Sequence, residues 1–402
     1  MADQIYDHIV VGGGLAGASA IEGIRERDEE GAILLLCREK RMPYHRPELS
    51  KKLWFGKKKV EDIFVYDEDF YMEKSVDVAL GVEAIKLNVA ASTISDSSGA
   101  KFGFERLLLA TGGIPRMLDI PGGNLEGVCY FRYLDDYLRI RDEASEGKTA
   151  VVIGGGFIGS EIAAALNINK VDVTMIFREP YLVSRIFPES LGKAIQQDYV
   201  KRGVTMLAES SPKSIEKRGA KFVTTTDKGV EIESDMALVG VGISPEISLA
   251  AGAGLEVGNG IVVNDKLQTS KSRIYAAGDN AFFPYAALGK STRIEHWDNA
   301  LTQGKHAGLN MAGANQAFVY MPYFYSDLFD FGFEAVGEVD SKLDIITDWV
   351  EENATGVIYY LQEGRVRGAM LCNVWDKLDD ARKIIKKGKL MTAEDLRGAI
   401  TP

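Results

Sequence analysis

Val151–Leu166 reads VVIGGGFIGSEIAAAL, and it echoes a stretch 142 residues earlier, IVVGGGLAGASAIEGI at Ile9–Ile24. Each joins an apolar, strand-like run to Gly-x-Gly-x-x-Gly and then to a small-residue helical pattern. Such a unit cradles the pyrophosphate of a dinucleotide. Its first glycine permits the tight turn, its second lets backbone approach the phosphates, and its third lets helix pack closely on strand. The helix N-terminus adds unpaired N–H groups and the positive end of the helix dipole. The first cradle comprises Gly12, Gly14, Leu15, Ala16 and Gly17; the second comprises Gly154, Gly156, Phe157, Ile158 and Gly159. An acidic residue at the end of the following strand accepts hydrogen bonds from ribose hydroxyls. Glu39, preceded by Arg38, lies 22 residues beyond Gly17, and Glu179, preceded by Arg178, occupies the equivalent place in the second copy. Two complete cradles in one chain imply two dinucleotides.

A chain of 402 residues exceeds one ordinary core, so two or three domains are expected. The pattern is α/β, with two Rossmann-like dinucleotide-binding domains, one inserted in the other, and a C-terminal α+β domain. The first domain takes 1–123 and, after the interruption, 244–316, where SRIYAAGDNAFF returns as strand and turn. The second takes 124–243. From 317 onward FEAVGEV, GVIYYLQEG and RVRGAMLCNV read as short strands, followed by the helix-like DKLDDARKIIKKG; this third domain runs 317–402.

The composition narrows the function classes. A formal net charge of −11 argues against non-specific binding to nucleic acid or anionic membranes. No apolar run reaches the roughly eighteen residues of a transmembrane helix, and MADQIYDHIVVGGG carries no basic leader. Cys37, Cys129 and Cys372 are far apart, which suits a reducing compartment; a soluble, cytoplasmic chain is expected. No metal site is expected, because His8, His45, His296 and His306 form neither HExxH nor a Cys/His cluster with ligand spacing.

Further motifs carry a resemblance. PYHRPELSK at Pro43–Lys51, with LATGG, AAGDNAFF and RIEHWDNA, resembles the flavin-dependent ferredoxin reductases of the two-dinucleotide-binding flavoprotein superfamily. FYSDLFDFGFEAVGEVDSKL, GVIYYLQEGRVRG and NVWDKLDDARKII are similar to the apoptosis-inducing factors of the same superfamily. The resemblance spans essentially the whole chain and implies FAD in the first domain and NADH in the second, with NADPH as the alternative. It implies that Arg46 and Lys51 lie along the flavin, Lys51 beside its reactive edge, and that Glu161 pairs with Lys51 near the nicotinamide. A fixed ammonium stabilises negative charge on the reduced ring, and an adjacent carboxylate limits that pull. Gly278 and Asp279 would meet the ribityl or pyrophosphate region, and Glu295, His296 and Trp297 the isoalloxazine. Arg132 would reach the phosphates or adenine, with Ala84, Ala110, Thr111, Gly112 and Gly242 completing the lining. Tyr325 stands where the apoptosis-inducing factors tend to have tryptophan. Glutamate at 179 favours NADH, whereas Arg178 would accept a 2′-phosphate.

The disulfide reductases of this superfamily relay electrons through a cysteine pair near the flavin. Here the PYHRPELSK region holds no cysteine and neither glycine motif is followed by a pair. Electrons must therefore leave for an external acceptor such as ferredoxin, rubredoxin or a quinone. The competing reading is an NADH-sensing interaction protein with slow turnover and ligand-dependent dimerisation. Arg382, Lys383, Lys386, Lys387 and Lys389 form a basic run that either docks a small acidic iron–sulfur protein or is the solvated face of the last helix.

Overall fold

A computed structural model describes residues 4–401. The chain forms two compact units: residues up to 45 with 60–114 and 244–322, and 46–59 with 115–243 and 323 onward.

The first unit is built on the strand Gln4–Val11, whose IVV is apolar without alternation because parallel neighbours flank it and both faces are covered. Val10 is in register with Leu35 on one side and Leu108 on the other. The parallel order is Val76–Leu80, Ile33–Cys37, Gln4–Val11, Lys101–Leu109, then Ile274–Ala276. The start of Lys101–Leu109 also carries an antiparallel extension, Thr93–Asp96 and Ala84–Asn88. Strand order reverses between Gln4–Val11 and Lys101–Leu109, so the loop after Val11 lies at the topological switch point where doubly wound sheets bind ligands. The helix Leu15–Arg25 packs against Trp297–Met311 at close range. Glycine permits this crossing, since a Cβ at Gly304 would strike the Ala16 carbonyl oxygen and one at Gly308 that of Ala20.

The second unit repeats the plan. Its all-parallel sheet runs Thr205–Leu207, Asp172–Ile176, Thr149–Ile153, Met236–Val239, Cys129–Tyr130. Val151, Ile153, Ile176, Ala237 and Val239 bury one face against Ile215 and Phe222 of the antiparallel ribbon Pro212–Arg218, Lys221–Thr226 and Glu231–Ser234. The same unit contains a five-stranded antiparallel sheet, ordered Tyr323–Leu328, Phe331–Gly337, Arg365–Cys372, Thr355–Gln362, Asp344–Glu351. The helix Leu378–Lys387 packs on its second and third strands. Phe157 lies 5.8 Å from Phe324 and 6.0 Å from Phe333; these rings seat the sheet's first hairpin on the cradle helix Phe157–Ile168.

Candidate active site

Both glycine motifs form the cradles their spacing implies. Gly12 adopts φ +124° and Gly154 +121°, conformations that favour glycine. A Cβ on Gly17 would strike the Gly12 carbonyl oxygen, and one on Gly159 that of Gly154, so the helices pack as closely as the pattern demands. The middle glycines behave differently. A Cβ on Gly14 or Gly156 would meet nothing within 4 Å. Each is the N-cap of its helix, with no side-chain cap and no acidic residue in the first turn. The first N–H groups of two long helices thus face open space with the dipole's positive end behind them, which fits a pyrophosphate at each.

Around the first cradle, Glu39 accepts a hydrogen bond from the Tyr44 hydroxyl at 2.6 Å, and Arg38 is exposed and 3.7 Å from Glu83. Ala84 opens the outermost strand of the antiparallel extension. Ala110 N–H donates to Val11 O, and Thr111 Oγ1 donates to Glu246 O at 2.6 Å. Gly112 and Gly278 take φ +66° and +86°. Gly278 N–H donates to Gln303 Oε1, and the Arg293 guanidinium donates to the Asp279 carbonyl while pairing with Glu295 at 2.5 Å. His296 caps the helix Trp297–Met311, and burial pushes its imidazole down to about 4, although part of its surface reaches solvent. Trp297 Nε1–H donates to His45 Nδ1 at 3.0 Å. The sequence singles out neither Tyr44, Asn280 nor Arg293, and His45 figures there only among the histidines without metal-ligand spacing. Asn280, fully buried and bonded to Leu109 O and Thr111 Oγ1, stood in plain view in AAGDN beside Asp279.

Arg46, Lys51, Arg132 and Tyr325, expected at the flavin, belong to the second unit together with the second cradle. There Arg46 Nη1 donates to Arg132 O at 3.0 Å and its guanidinium lies over the Tyr133 ring. Glu179 is half-buried, its carbonyl accepting from Glu209 N–H, and Arg178 is exposed. Gly242, at φ +96°, accepts from Arg116 N–H.

The densest chemistry surrounds Glu161. Lys51 Nζ donates to Glu161 Oε1 at 2.6 Å, with the two side chains only 8% and 6% exposed. Ser326 Oγ donates to the same oxygen at 2.6 Å and Ser50 Oγ to Oε2 at 2.5 Å. The Tyr325 ring centroid lies 5.4 Å from Lys51 Nζ, and burial followed by Glu48 and Glu161 holds its phenol strongly protonated. Three elements converge here: the 3-10 turn Arg46–Ser50, the second turn of Phe157–Ile168 and the strand Tyr323–Leu328. A buried ion pair of this geometry gives a fixed, desolvated cation. The three cysteines are free and buried, with burial pushing the Cys37 and Cys129 thiols up to about 12 and Cys372 up as well.

Two dinucleotide cradles with a buried lysine–glutamate pair define a two-coenzyme redox protein. Comparison with known proteins says which. Residues 6–304 match the model of the pyridine nucleotide-disulphide oxidoreductases, and residues 307–355 that of the C-terminal region of mitochondrion-associated apoptosis-inducing factor. Apoptosis-inducing factor 1 of Dictyostelium discoideum, named as mitochondrial, is 31% identical over 98% of this chain and 81% of that one. The rubredoxin-NAD(+) reductase of Pseudomonas putida is 34% identical over 80% and 83%. Among solved structures, the ferredoxin reductase for the CYP199A2 system of Rhodopseudomonas palustris superposes with a TM-score of 0.90 at 27% identity, covering 96% of both chains. The covalent putidaredoxin reductase–putidaredoxin complex matches with a TM-score of 0.90 at 28% identity, over 98% and 95%. The chain belongs to the pyridine nucleotide-disulphide oxidoreductase family. It is an oxidoreductase of that family, and its coenzymes are FAD and NAD(P)H. Among the described residues no helix is long and apolar enough to cross a membrane.

Proposed function

We propose that the protein takes hydride from NADH and passes the electrons singly to a small external iron–sulfur or rubredoxin-type acceptor, with no protein disulfide between. Bound FAD supplies the chemistry, accepting a hydride and releasing electrons one or two at a time. The buried Lys51–Glu161 pair carries this reading. Lys51 offers a desolvated positive charge where negative charge develops, and Glu161 fixes its direction and orients the incoming nicotinamide. In this reading 1–123 with 244–316 bind FAD, 124–243 bind NADH and 317–402 form the C-terminal domain. The Gly12–Gly17 cradle, Glu39, Ala110–Gly112, Gly278 and Asp279 serve FAD, whereas Gly154–Gly159 and Glu179 serve NADH. The same reading gives Arg46, Arg132, Glu295, His296, Trp297 and Tyr325 the flavin-contacting roles that the resemblance implies. The sparse, buried thiols suit a reducing, cytoplasmic setting.

The named activity of the Pseudomonas putida relative and the redox-partner complex among the similar structures support an iron–sulfur or rubredoxin acceptor. The match of 307–355 favours a second reading, an NADH sensor that changes assembly state with incidental turnover. A steady-state assay with NADH and a panel of ferredoxins, rubredoxins and quinones separates the two. Brisk reduction of one iron–sulfur or rubredoxin acceptor is expected. Uniformly slow turnover, with an NADH-dependent change in sedimentation, would replace the first reading with the second.

A further inference from the structure

We propose that Ser50 and Ser326 are positioning residues that aim Glu161 and set how strongly it neutralises Lys51. The hydroxyls reach different oxygens of the carboxylate from different elements, Ser50 at Oε2 from the 3-10 turn and Ser326 at Oε1 from the C-terminal sheet. All four residues are buried, Ser326 at 1% and Ser50 at 4% exposure beside the equally enclosed Lys51–Glu161 pair. A carboxylate held by one lysine alone could rotate about its terminal torsion and draw the ammonium with it. Donors on both oxygens remove that freedom. They also share the anionic charge, so less of it is spent on Lys51 and more of the cation's field remains for the redox reaction.

Ser326 owes its place to strand alternation. Phe324, Ser326 and Leu328 share one face of Tyr323–Leu328, and the Phe324–Phe157 contact turns that face toward the cradle helix bearing Glu161. A polar residue between two large apolar ones on a buried face is costly unless bonded, and the bond it makes is to the carboxylate. The inference rests on the oxidoreductase reading, because the positioned cation matters only if coenzymes react beside it.

The test compares FAD-loaded wild type with Ser50→Ala, Ser326→Ala, Glu161→Ala and Glu161→Ala/Ser326→Ala. One readout is the flavin midpoint potential from dithionite titration, which needs no NADH; the other is the limiting rate of flavin reduction by NADH. Each single serine variant should make the potential more negative and slow the limiting rate about tenfold, as loss of one bond to a charged group would. In the Glu161→Ala background Ser326→Ala should change neither, because its route of action is gone. Wild-type potentials in both serine variants, or an undiminished effect of Ser326→Ala without Glu161, would overturn the inference. Failure of NADH to reduce the wild-type flavin would defeat the oxidoreductase reading, while the dithionite potentials would still decide the role of the serines.

Discussion

The Lys51–Glu161 pair should be energetically lopsided, and the direction follows from its partners. Glu161 receives three donors, whereas the ammonium of Lys51 has one carboxylate and the Tyr325 ring. Lys51→Met therefore leaves the carboxylate with two hydroxyls and loses one charge-assisted bond, at a cost of about 1.5–3 kcal/mol. Glu161→Ala leaves a desolvated ammonium without its anion, the case in which breaking a buried pair costs about 3–5 kcal/mol, strips Ser326 of its acceptor and leaves Ser50 only the more distant Pro47 carbonyl. Hydrogen exchange by mass spectrometry measures this locally, through the amides of 46–59 and 157–168. At roughly tenfold per 1.4 kcal/mol, Glu161→Ala should speed exchange in those segments about a hundredfold or more, and Lys51→Met about ten- to a hundredfold. Lys51→Met/Glu161→Leu should recover part of the loss, since an apolar pair leaves no charge buried. Equal effects of the two single substitutions, or a larger one for Lys51→Met, would contradict this unequal partnering of the two charges.

Gly17→Ala should purify with little bound FAD, because its Cβ would strike the Gly12 carbonyl, whereas Gly159→Ala should stay yellow but respond poorly to NADH; visible spectra before and after NADH distinguish them. Glu179→Ala should lower kcat/KM for NADH about tenfold and narrow its margin over NADPH, as loss of a charged ribose acceptor would. His296, held down to about 4 from 6.5, stays neutral in the fold while the unfolded chain takes up a proton below 6.5. Its contribution is therefore complete above pH 6.5 and lost as pH falls toward 4, about 3 kcal/mol in all, and His296→Gln should flatten that part of the stability–pH curve. Replacing Cys37, Cys129 and Cys372 with alanine should leave the rate of NADH-driven flavin reduction unchanged; loss of electron transfer in a folded, FAD-loaded protein would implicate a thiol relay.

Both glycine cradles were legible because one short stretch specifies each: apolar strand, fixed glycine spacing and small-residue helix are local requirements that no distant residue can supply. The α/β class and the strand-rich C-terminal region followed for similar reasons. Serine contacts were not legible. Ser50 lies within PELSK and Ser326 within FYSD, yet only the convergence of a turn, a helix and a strand from three parts of the chain brings both hydroxyls to Glu161. The same holds for Arg293, whose guanidinium braces the Asp279 carbonyl from fourteen residues away, and for the indole of Trp297, bonded to His45. The antiparallel ribbon Pro212–Arg218, Lys221–Thr226 and Glu231–Ser234 was missed because its two outer strands are polar and charge-rich and lack the apolar continuity of the parallel strands. Spacing reports what neighbours in sequence must do; contacts made by long-range register emerge only from the fold.

Rapid anaerobic mixing of the FAD-loaded protein with NADH decides whether electrons reach the flavin straight from the nicotinamide. The visible flavin absorption should bleach within the time of catalytic turnover, with the Cys37, Cys129 and Cys372 thiols unchanged. An oxidised flavin spectrum that persists under excess NADH would contradict this transfer.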